Sequence, residues 1–313
     1  MILDDKVLEK VNTYTAFGKH MHDRLGKLLA CPVCSASLAF EGTVQDKRFV
    51  NGRFKCSSGH MFRVKDQLGL FKDAKTSAKE SEWKVNVEDE KKYDEIRRQY
   101  DSYLRADQKR ATQKMTEKLV HYVSRSGAES DDTVLDVATG MGTFVLPLLE
   151  KCSADSVIVG TDISERPLRG LMNRSIKDGT YAKLSLLVAD AKHLCFRNAV
   201  FSTVSSFFGF DNVPETVLAF KESARVLRAG GRLFFSSLWL REGSESMRLA
   251  EEHNVCQVGS EGRLKDALAE SELVLDQVEE AYAGLWPYNP MDLLPVEGDE
   301  YKHVIVSARK PKG

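Results

Sequence analysis

The spacing of apolar residues divides the first part of the chain into three segments. Residues 3–29 place an apolar residue about every three or four positions, from Val7 and Val11 to Leu28, which predicts a helix. Residues 30–72 lose this period and contain short β-like runs at 38–40, 48–50 and 61–64. Residues 73–90 are charged and poor in large apolar groups, which predicts an exposed linker.

The second part of the chain alternates between two periods. The helical period returns at Tyr93 and continues to Val123, after which short apolar runs occur at 134–137, 157–160, 184–188, 200–205 and 232–237. Runs that alternate with helical segments predict a mainly parallel α/β sheet with right-handed crossovers. A further helix near 262–273 and β-like runs at 274–285 and 301–308 complete the pattern.

These segments group into three predicted regions. Residues 1–75 hold the first helix and a small hairpin module, 76–130 a linker with lid-like helices, and 131–313 the α/β domain. The fold class is therefore α/β, with a small N-terminal domain in front.

Composition excludes several classes of protein. The chain has 313 residues, of which 42% are hydrophobic, so a sizeable core is expected and wholesale disorder is not. No run approaches the roughly 18 apolar residues of a membrane span, and the charged start shows no signal segment, so no membrane partner is expected. Six cysteines are too few for a disulfide scaffold in a chain of this length, which favours reduced thiols in a cytoplasmic protein.

The formal net charge of −1 conceals a gradient along the chain. Residues 1–75 contain 13 Lys and Arg against 8 Asp and Glu, whereas residues 131–313 contain 20 against 27. A basic front suits contact with phosphates, although an ordinary solvated surface explains so small an excess equally well. The charge alone therefore does not decide the partner.

Four residues of the hairpin module have the spacing of a zinc site. Cys31 and Cys34 form one close pair, and Cys56 and His60 form another after an interval of 21 residues. Two such pairs satisfy tetrahedral Zn²⁺ with no open position, so the predicted ion is structural. Zinc would supply the stability that a module of this size lacks. The remaining cysteines are predicted to be packing residues: Cys152, Cys195 and Cys256.

A glycine-rich turn follows the first strand of the α/β region. Residues 136–142 read DVATGMG, and such a turn lets the backbone approach a ligand at a helix N-terminus. A dinucleotide site would need a third glycine, which is missing, and Asp136 suits an ammonium and a sulfonium group better than a pyrophosphate. Asp162 ends the next strand, where it can bind both ribose hydroxyls, and Asp190 ends the third, within reach of an adenine amino group.

At these positions the chain resembles the class I S-adenosylmethionine-dependent methyltransferases, over about residues 93–310. The DVATGMG turn is similar to the nucleoside-binding loop of that family, with an alanine in place of the usual first glycine, as in its quinone-methylating branch. The resemblance implies a Rossmann-like seven-stranded sheet and S-adenosyl-L-methionine as the methyl donor. The implied donor-binding residues are Asp136, Ala138, Thr139, Gly140, Gly142, Asp162, Ile163, Asp190, Ala191 and Phe207.

Methyl transfer from a sulfonium is an in-line displacement, so the protein mainly aligns the reactants and excludes water. Asp211, just after the fourth strand, is the candidate for contacting a substrate proton, although such residues also cap helices. No Asn/Asp-Pro-Pro-Tyr motif follows that strand, which argues against methylation of adenine or glutamine amino groups by that route.

Three functions remain open from the sequence. The layout resembles the bacterial 23S ribosomal RNA guanine-N1 methyltransferases, which implies an RNA base as methyl acceptor and a zinc module that grips RNA. The nucleoside loop instead favours a small-molecule, quinone-like acceptor, in which case donor binding should survive removal of residues 1–75. A third possibility is a zinc-bearing interaction protein that kept the fold without the activity. The sequence leaves the acceptor and the oligomeric state undecided.

Overall fold

A computed structural model describes residues 21–72, 90–126, 133–153, 156–292 and 294–312. Within these ranges the strands are β1 (Leu38–Gln45), β2 (Arg48–Cys56), β3 (Met61–Lys65), β4 (Leu68–Leu70), β5 (Thr133–Val137), β6 (Val157–Asp162), β7 (Leu184–Val188), β8 (Phe201–Phe207), β9 (Leu227–Leu240), β10 (Val274–Leu285) and β11 (Glu300–Arg309). The helices are α1 (Met21–Leu28), α2 (Glu90–Tyr103), α3 (Ala106–Ser126), α4 (Val145–Lys151), α5 (Glu165–Lys177), α6 (Thr216–Val226), α7 (Glu245–His253) and α8 (Glu261–Glu270).

All of these strands belong to one sheet, in the order β1-β2-β3-β4-β7-β6-β5-β8-β9-β11-β10. The neighbours from β4 to β9 are parallel, while the hairpins at both ends of the sheet are antiparallel. The strand order reverses at β5, which lies between β6 and β8. In an open α/β sheet, ligands bind beyond the carboxyl ends of the strands at such a switch point.

Helices cover both faces of the parallel part of the sheet. Residues of α3, α4 and α5 share a buried cluster with Val134 and Ile158 on one face. Residues of α1, α6 and α8 share another with Leu135 and Val159 on the opposite face. Successive residues of β5 therefore enter different cores, which explains why its sequence reads as an unbroken apolar run.

The N-terminal hairpins are joined to the α/β body through β4. Gly69 pairs in parallel with Leu187 of β7, and a Cβ on this glycine would lie 2.6 Å from the Leu187 side chain. Phe54 and Phe62 lie in the same buried cluster as the body strands. The sheet thus has eleven strands where the sequence predicts seven, because four N-terminal strands extend it beyond β7.

Arg48 of β2 makes a second connection to the body. Its guanidinium donates hydrogen bonds to the carbonyl oxygens of Leu184 (3.0 Å) and Tyr181 (2.5 Å) and lies 4.2 Å from the centroid of the Tyr181 ring. The backbone of residues 28–30 also bonds that of residues 195–197. The hairpin module and the body therefore share backbone pairing, side-chain bonds and core.

Most predicted elements are present, with informative differences in extent. β9 begins at Leu227, before the predicted 232, because Leu227 already pairs with Phe201 of β8; the register shifts between this pair and the next one, Thr203 with Arg232. α7 was not predicted. α3, predicted among the lid-like helices, has seven buried residues and packs along the sheet as a core helix.

Parts of two predicted elements lie outside the described residues. Of the predicted 3–29 helix, residues 21–29 are described, and residues 21–28 of these are helical. Of the predicted 73–90 linker, only the last residue is described. The region boundaries near residues 75 and 130 therefore stay predictions. Among the described helices, none is long and apolar enough to cross a membrane.

Candidate active site and metal centre

The predicted donor-binding loop turns sharply after β5. Ala138 and Gly140 have φ values of 53° and 54°, in the left-handed region. The backbone amide of Thr139 donates to the carbonyl of Thr161 (2.8 Å), and its hydroxyl donates to the carbonyl of Asp136 (2.9 Å). The first bond fastens the loop to β6 and the second ties it back to β5, and together they hold an alanine in a conformation that glycine adopts more readily.

The two glycines of the loop meet different surroundings. Gly142 has a φ of 79°, and a Cβ there would lie 2.3 Å from Leu171 Cδ1, so α5 packs directly against the loop. A Cβ on Gly140 would meet no atom within 4 Å. Gly142 therefore permits close helix packing, whereas Gly140 leaves space in which a ligand can approach the backbone.

Asp162 connects the end of β6 to this loop. Its Oδ2 accepts a hydrogen bond from the Gly140 amide (2.8 Å), and its Oδ1 accepts one from the Ser164 amide (2.9 Å). Burial raises the pKa of Asp162. Each oxygen retains a second lone pair, so the carboxylate can still accept hydrogen bonds from a ligand diol. Ile163, half-buried, follows directly.

Asp136 lies inside the end of β5. Its carboxylate is buried and accepts a hydrogen bond from the Ser205 hydroxyl (2.7 Å), and burial raises its pKa to about 7. Ser205 faces Asp136 across the β5–β8 pairing. Sequence reasoning missed this serine, because only the strand register makes it a neighbour.

Asp190 and Ala191 follow β7 at the same edge of the sheet. Asp190 Oδ1 accepts a hydrogen bond from the Lys192 amide (2.9 Å), which shapes the turn, and Oδ2 lies 3.6 Å from His193 Nδ1. Since β5, β6 and β7 are neighbouring parallel strands, the structure brings the three predicted carboxylates to one edge.

The segment after β8 packs on the predicted donor-binding loop, residues 138–142, which we call the donor loop. Phe207 stacks on Phe144 with ring centroids 6.3 Å apart. Phe208 has a φ of 56°, and its amide donates to Ser236 Oγ (3.0 Å). A Cβ on Gly209 would lie 2.6 Å from Ala138 Cβ, so the two turns touch. This contact places Phe207 beside the loop; its predicted contact with the donor stays a prediction.

Asp211 is more enclosed than its predicted role requires. One of its carboxylate oxygens accepts a hydrogen bond from the Ser237 hydroxyl (2.7 Å) and the other accepts one from the Leu238 amide (2.9 Å). Burial raises its pKa to about 7. These contacts fasten the turn after β8 to β9, which favours a positioning role. A catalytic role for Asp211 stays a prediction.

The four predicted metal ligands come together between β2, β3 and the loop after α1. All their candidate ligand atoms lie within 4.8 Å of one another. Cys34 Sγ is 3.7 Å from Cys56 Sγ, and His60 Nδ1 is 3.3 Å from Cys56 Sγ and 3.5 Å from Cys31 Sγ. Tetrahedral zinc with Zn–S near 2.3 Å and Zn–N near 2.0 Å places neighbouring ligand atoms about 3.5–3.8 Å apart. The donor set and these separations fit Zn²⁺.

Local turns hold each pair of ligands. The Ser35 amide donates to the Cys31 carbonyl (2.8 Å), and the Cys56 amide donates to the His60 carbonyl (3.1 Å). A hydrogen bond with the Ala36 backbone, together with the Ser58 side chain, lowers the pKa of Cys34 to about 6, which favours the thiolate that metals bind.

All six cysteines fall within the described ranges and all are free of disulfide bonds. The three outside the cluster lie in the α/β body, Cys195 and Cys256 buried and Cys152 half-buried.

Comparison with known sequences identifies the α/β part of the chain. The sequence model of the ubiE/COQ5 methyltransferase family matches residues 79–246, more than half of the chain. The chain belongs to this family. The match contains the donor loop and all three strand-end carboxylates, and it begins after the four metal-ligand candidates.

Curated relatives of this ubiE/COQ5 family chain are named for quinone methylation. A ubiquinone/menaquinone biosynthesis C-methyltransferase of Xylella fastidiosa (strain M12) is 33% identical over 112 residues, which cover 36% of this chain and 44% of the relative. A demethylmenaquinone methyltransferase of Bacillus subtilis (strain 168) is 32% identical over 99 residues, covering 32% of this chain and 42% of the relative. The chain thus spans less than half the length of these relatives.

Solved structures support the fold. The YcgJ protein of Bacillus subtilis superposes with a TM-score of 0.51 at 13% identity, covering 63% of this chain and all of that one. A geranyl diphosphate methyltransferase in complex with SAM superposes with a TM-score of 0.50 at 17% identity, covering 63% of this chain and 84% of that one. At such identities the likeness concerns the methyltransferase fold alone. The comparisons do not confirm the resemblance to ribosomal RNA methyltransferases or to a zinc ribbon.

Proposed function

We propose that this protein is an S-adenosyl-L-methionine-dependent methyltransferase whose acceptor is a small aromatic molecule of the quinol type. The observation that carries the proposal is the alignment of Asp136, Asp162 and Asp190 beyond three neighbouring strands, around a loop with a ligand-accessible glycine. Membership of the ubiE/COQ5 methyltransferase family supports it.

Each residue of this edge has a role suited to its position. S-adenosyl-L-methionine, when bound, supplies a methyl group already activated by the sulfonium. Asp162 accepts hydrogen bonds from the ribose, and the Gly140 backbone allows the nucleoside to come close. Asp136 balances the positive charge of the amino acid portion, and Asp190 with Ala191 contacts the adenine. Phe207 lies against the reacting end and helps to exclude water.

Two observations favour a small aromatic acceptor over an RNA base. The curated relatives carry names of quinone and menaquinone methyltransferases. The segment that packs on the donor loop presents aromatic rings, Phe207 and Phe208, which suit stacking on a planar ring. A cytoplasmic location remains our expectation for the protein.

Calorimetric titration with S-adenosyl-L-methionine tests the proposal. We expect saturable binding, and about a tenfold to hundredfold loss of affinity in Asp162→Asn, because charge-assisted hydrogen bonds to the ribose disappear. Asp266→Asn, which alters an exposed carboxylate on α8, is the matched control and should bind normally. No binding by the unaltered protein would favour an interaction protein without activity.

We also infer that Cys31, Cys34, Cys56 and His60 bind one structural zinc ion. The support is a complete set of soft ligands at tetrahedral separations. Elemental analysis of purified protein should find about one zinc per chain, and much less in Cys56→Ser. Cys152→Ser, outside the cluster, should keep the metal, and equal zinc in both variants would contradict the assignment.

A further inference from the structure

A row of aromatic rings leads from the donor loop to β11. Phe207 lies between Phe144 and Phe208, with ring centroids 6.3 Å and 4.9 Å away. Phe208 in turn meets His303 edge to face at 4.9 Å, and His303 meets Tyr301 at 5.0 Å. These five residues form what we call the aromatic row. It begins beside the donor loop, where the proposed function places the methyl donor.

His303 differs from its neighbours in having an unsatisfied polar atom. The residue is only 9% exposed, and its Nδ1 is buried without a hydrogen-bond partner. Buried nitrogen atoms are almost always hydrogen-bonded, and leaving one unpaired costs about 1–3 kcal/mol. An orphaned atom beside a ligand site suggests that a ligand provides the missing partner.

The ring of His303 is neutral in its surroundings. Burial lowers the pKa of His303 to about 4, so at neutral pH the imidazole has one nitrogen free to accept a hydrogen bond. The Tyr301 hydroxyl accepts a bond from Gln108 Nε2 (2.6 Å), and no hydrogen bond joins it to His303 Nδ1.

Strand pairing places His303 on the active-site edge. It faces Leu238 near the carboxyl end of β9. Two residues earlier in β9, Ser236 Oγ accepts the amide of Phe208, which holds that ring against the histidine. The left-handed φ of 56° at Phe208 is unusual for an aromatic residue, and such strain is common where a ligand binds.

We propose that His303 binds and orients the methyl acceptor: Nδ1 of His303 accepts a hydrogen bond from a hydroxyl on the ring of the acceptor. Phe207 stacks on the acceptor ring, and the Phe208 side chain rotates about its fixed backbone to uncover the nitrogen. This inference rests on the proposed function, and it assigns a residue that lies outside the segment matched by the family.

A matched pair of probes tests this contact. Reduced 1,4-naphthoquinone carries two ring hydroxyls, whereas 1,4-dimethoxynaphthalene has the same rings and no hydroxyl donor. Dissociation constants for both are measured anaerobically by calorimetry, on full-length protein saturated with S-adenosylhomocysteine. We expect the unaltered protein to prefer the hydroquinone by about tenfold, the contribution of one buried hydrogen bond.

Three variants separate the hydrogen bond from simple packing. His303→Phe keeps a ring without nitrogen and should bind both probes equally. His303→Asn retains a polar atom near the position of Nδ1 and should recover part of the preference. His121→Phe changes an exposed histidine on α3 and should behave like the unaltered protein.

The outcomes distinguish this inference from the proposed function. If the donor binds but the hydroquinone shows no preference, or if His303→Phe keeps the preference, the role of His303 is overturned while the methyltransferase proposal stands. If the unaltered protein binds neither S-adenosylmethionine nor S-adenosylhomocysteine, the proposed function fails, and the role of His303 with it.

Discussion

The candidate metal centre and the edge of the sheet that holds Asp136, Asp162 and Asp190, here called the donor edge, lie on one continuous sheet. They are built by different kinds of contact. The four metal-ligand candidates are held by two tight turns, each within five residues of sequence. The donor edge gathers Asp136, Asp162 and Asp190 from strands more than twenty residues apart. The metal-ligand cluster is held chiefly by these turns, with Cys31 and Cys56 also packed into the core, whereas the donor edge is held by the core of the whole body. With the functions that we propose for them, the first site stabilises the fold and the second binds the methyl donor.

Removal of the metal tests whether the metal centre and the donor edge are independent of each other. Because the hairpin module shares its core and β4 with the body, we expect chelation of zinc to lower the unfolding temperature by roughly 10 °C or more. Donor binding should be lost in the same transition, as followed by calorimetry with and without S-adenosylmethionine. This differs from the sequence-based expectation, made for a small-molecule acceptor, that donor binding survives removal of residues 1–75. An early transition that leaves donor binding intact would show that the module is independent.

The next largest effect concerns the connection between the two regions. Arg48→Ala removes two hydrogen bonds to body carbonyls and a ring contact with Tyr181, which should lower the free energy of unfolding by about 2–4 kcal/mol. Arg53→Ala on the same strand, whose ion pair with Glu41 is about half exposed, should change it by less than about 1 kcal/mol. Urea unfolding measures both. Equal losses would mean that Arg48 does not connect the regions.

A smaller effect concerns charge at the donor edge. The folded-state pKa of Asp136 is raised to about 7 by burial, so the carboxylate gains a proton as the pH falls through this value. Since the ionised form attracts the positively charged donor, affinity should fall about twentyfold between pH 7.5 and pH 5.5. Asp136→Asn should bind weakly at both pH values. Equal affinity of the unaltered protein across this range would contradict the role of Asp136.

The smallest effect concerns the serine that supports Asp136. Ser205→Ala removes the hydrogen bond that stabilises the carboxylate, so the pKa of Asp136 should rise further and donor affinity at pH 7.5 should fall about threefold. Ser202→Ala alters the same strand at the far end, where the hydroxyl bonds the Thr133 carbonyl, and should leave affinity unchanged. If both variants bind the donor equally well, the serine is not tuning the carboxylate.

The two regions also differ in how far the sequence predicts them. Close spacing reveals Cys31 and Cys34 as a pair, and the apolar runs reveal the strand that ends in Asp162 and the strand that precedes Asp190, because these are local patterns. The pairing of β4 with β7 could not be predicted, since a three-residue strand carries little pattern and its partner is distant. Ser205 and His303 were missed for the same reason. Their importance comes from neighbours on other strands, which only strand register defines.

The pairing of Gly69 with Leu187 has a consequence for synthesis of the chain on the ribosome. β4 is made long before β7, and at about 5–20 residues per second the interval is on the order of ten seconds. During that time the edge of the hairpins has no partner and is open to pairing with other chains. A metal-bound turn that forms early would keep the hairpins in their final shape. On this view, zinc availability would affect the yield of correctly assembled protein more than the turnover of molecules already folded.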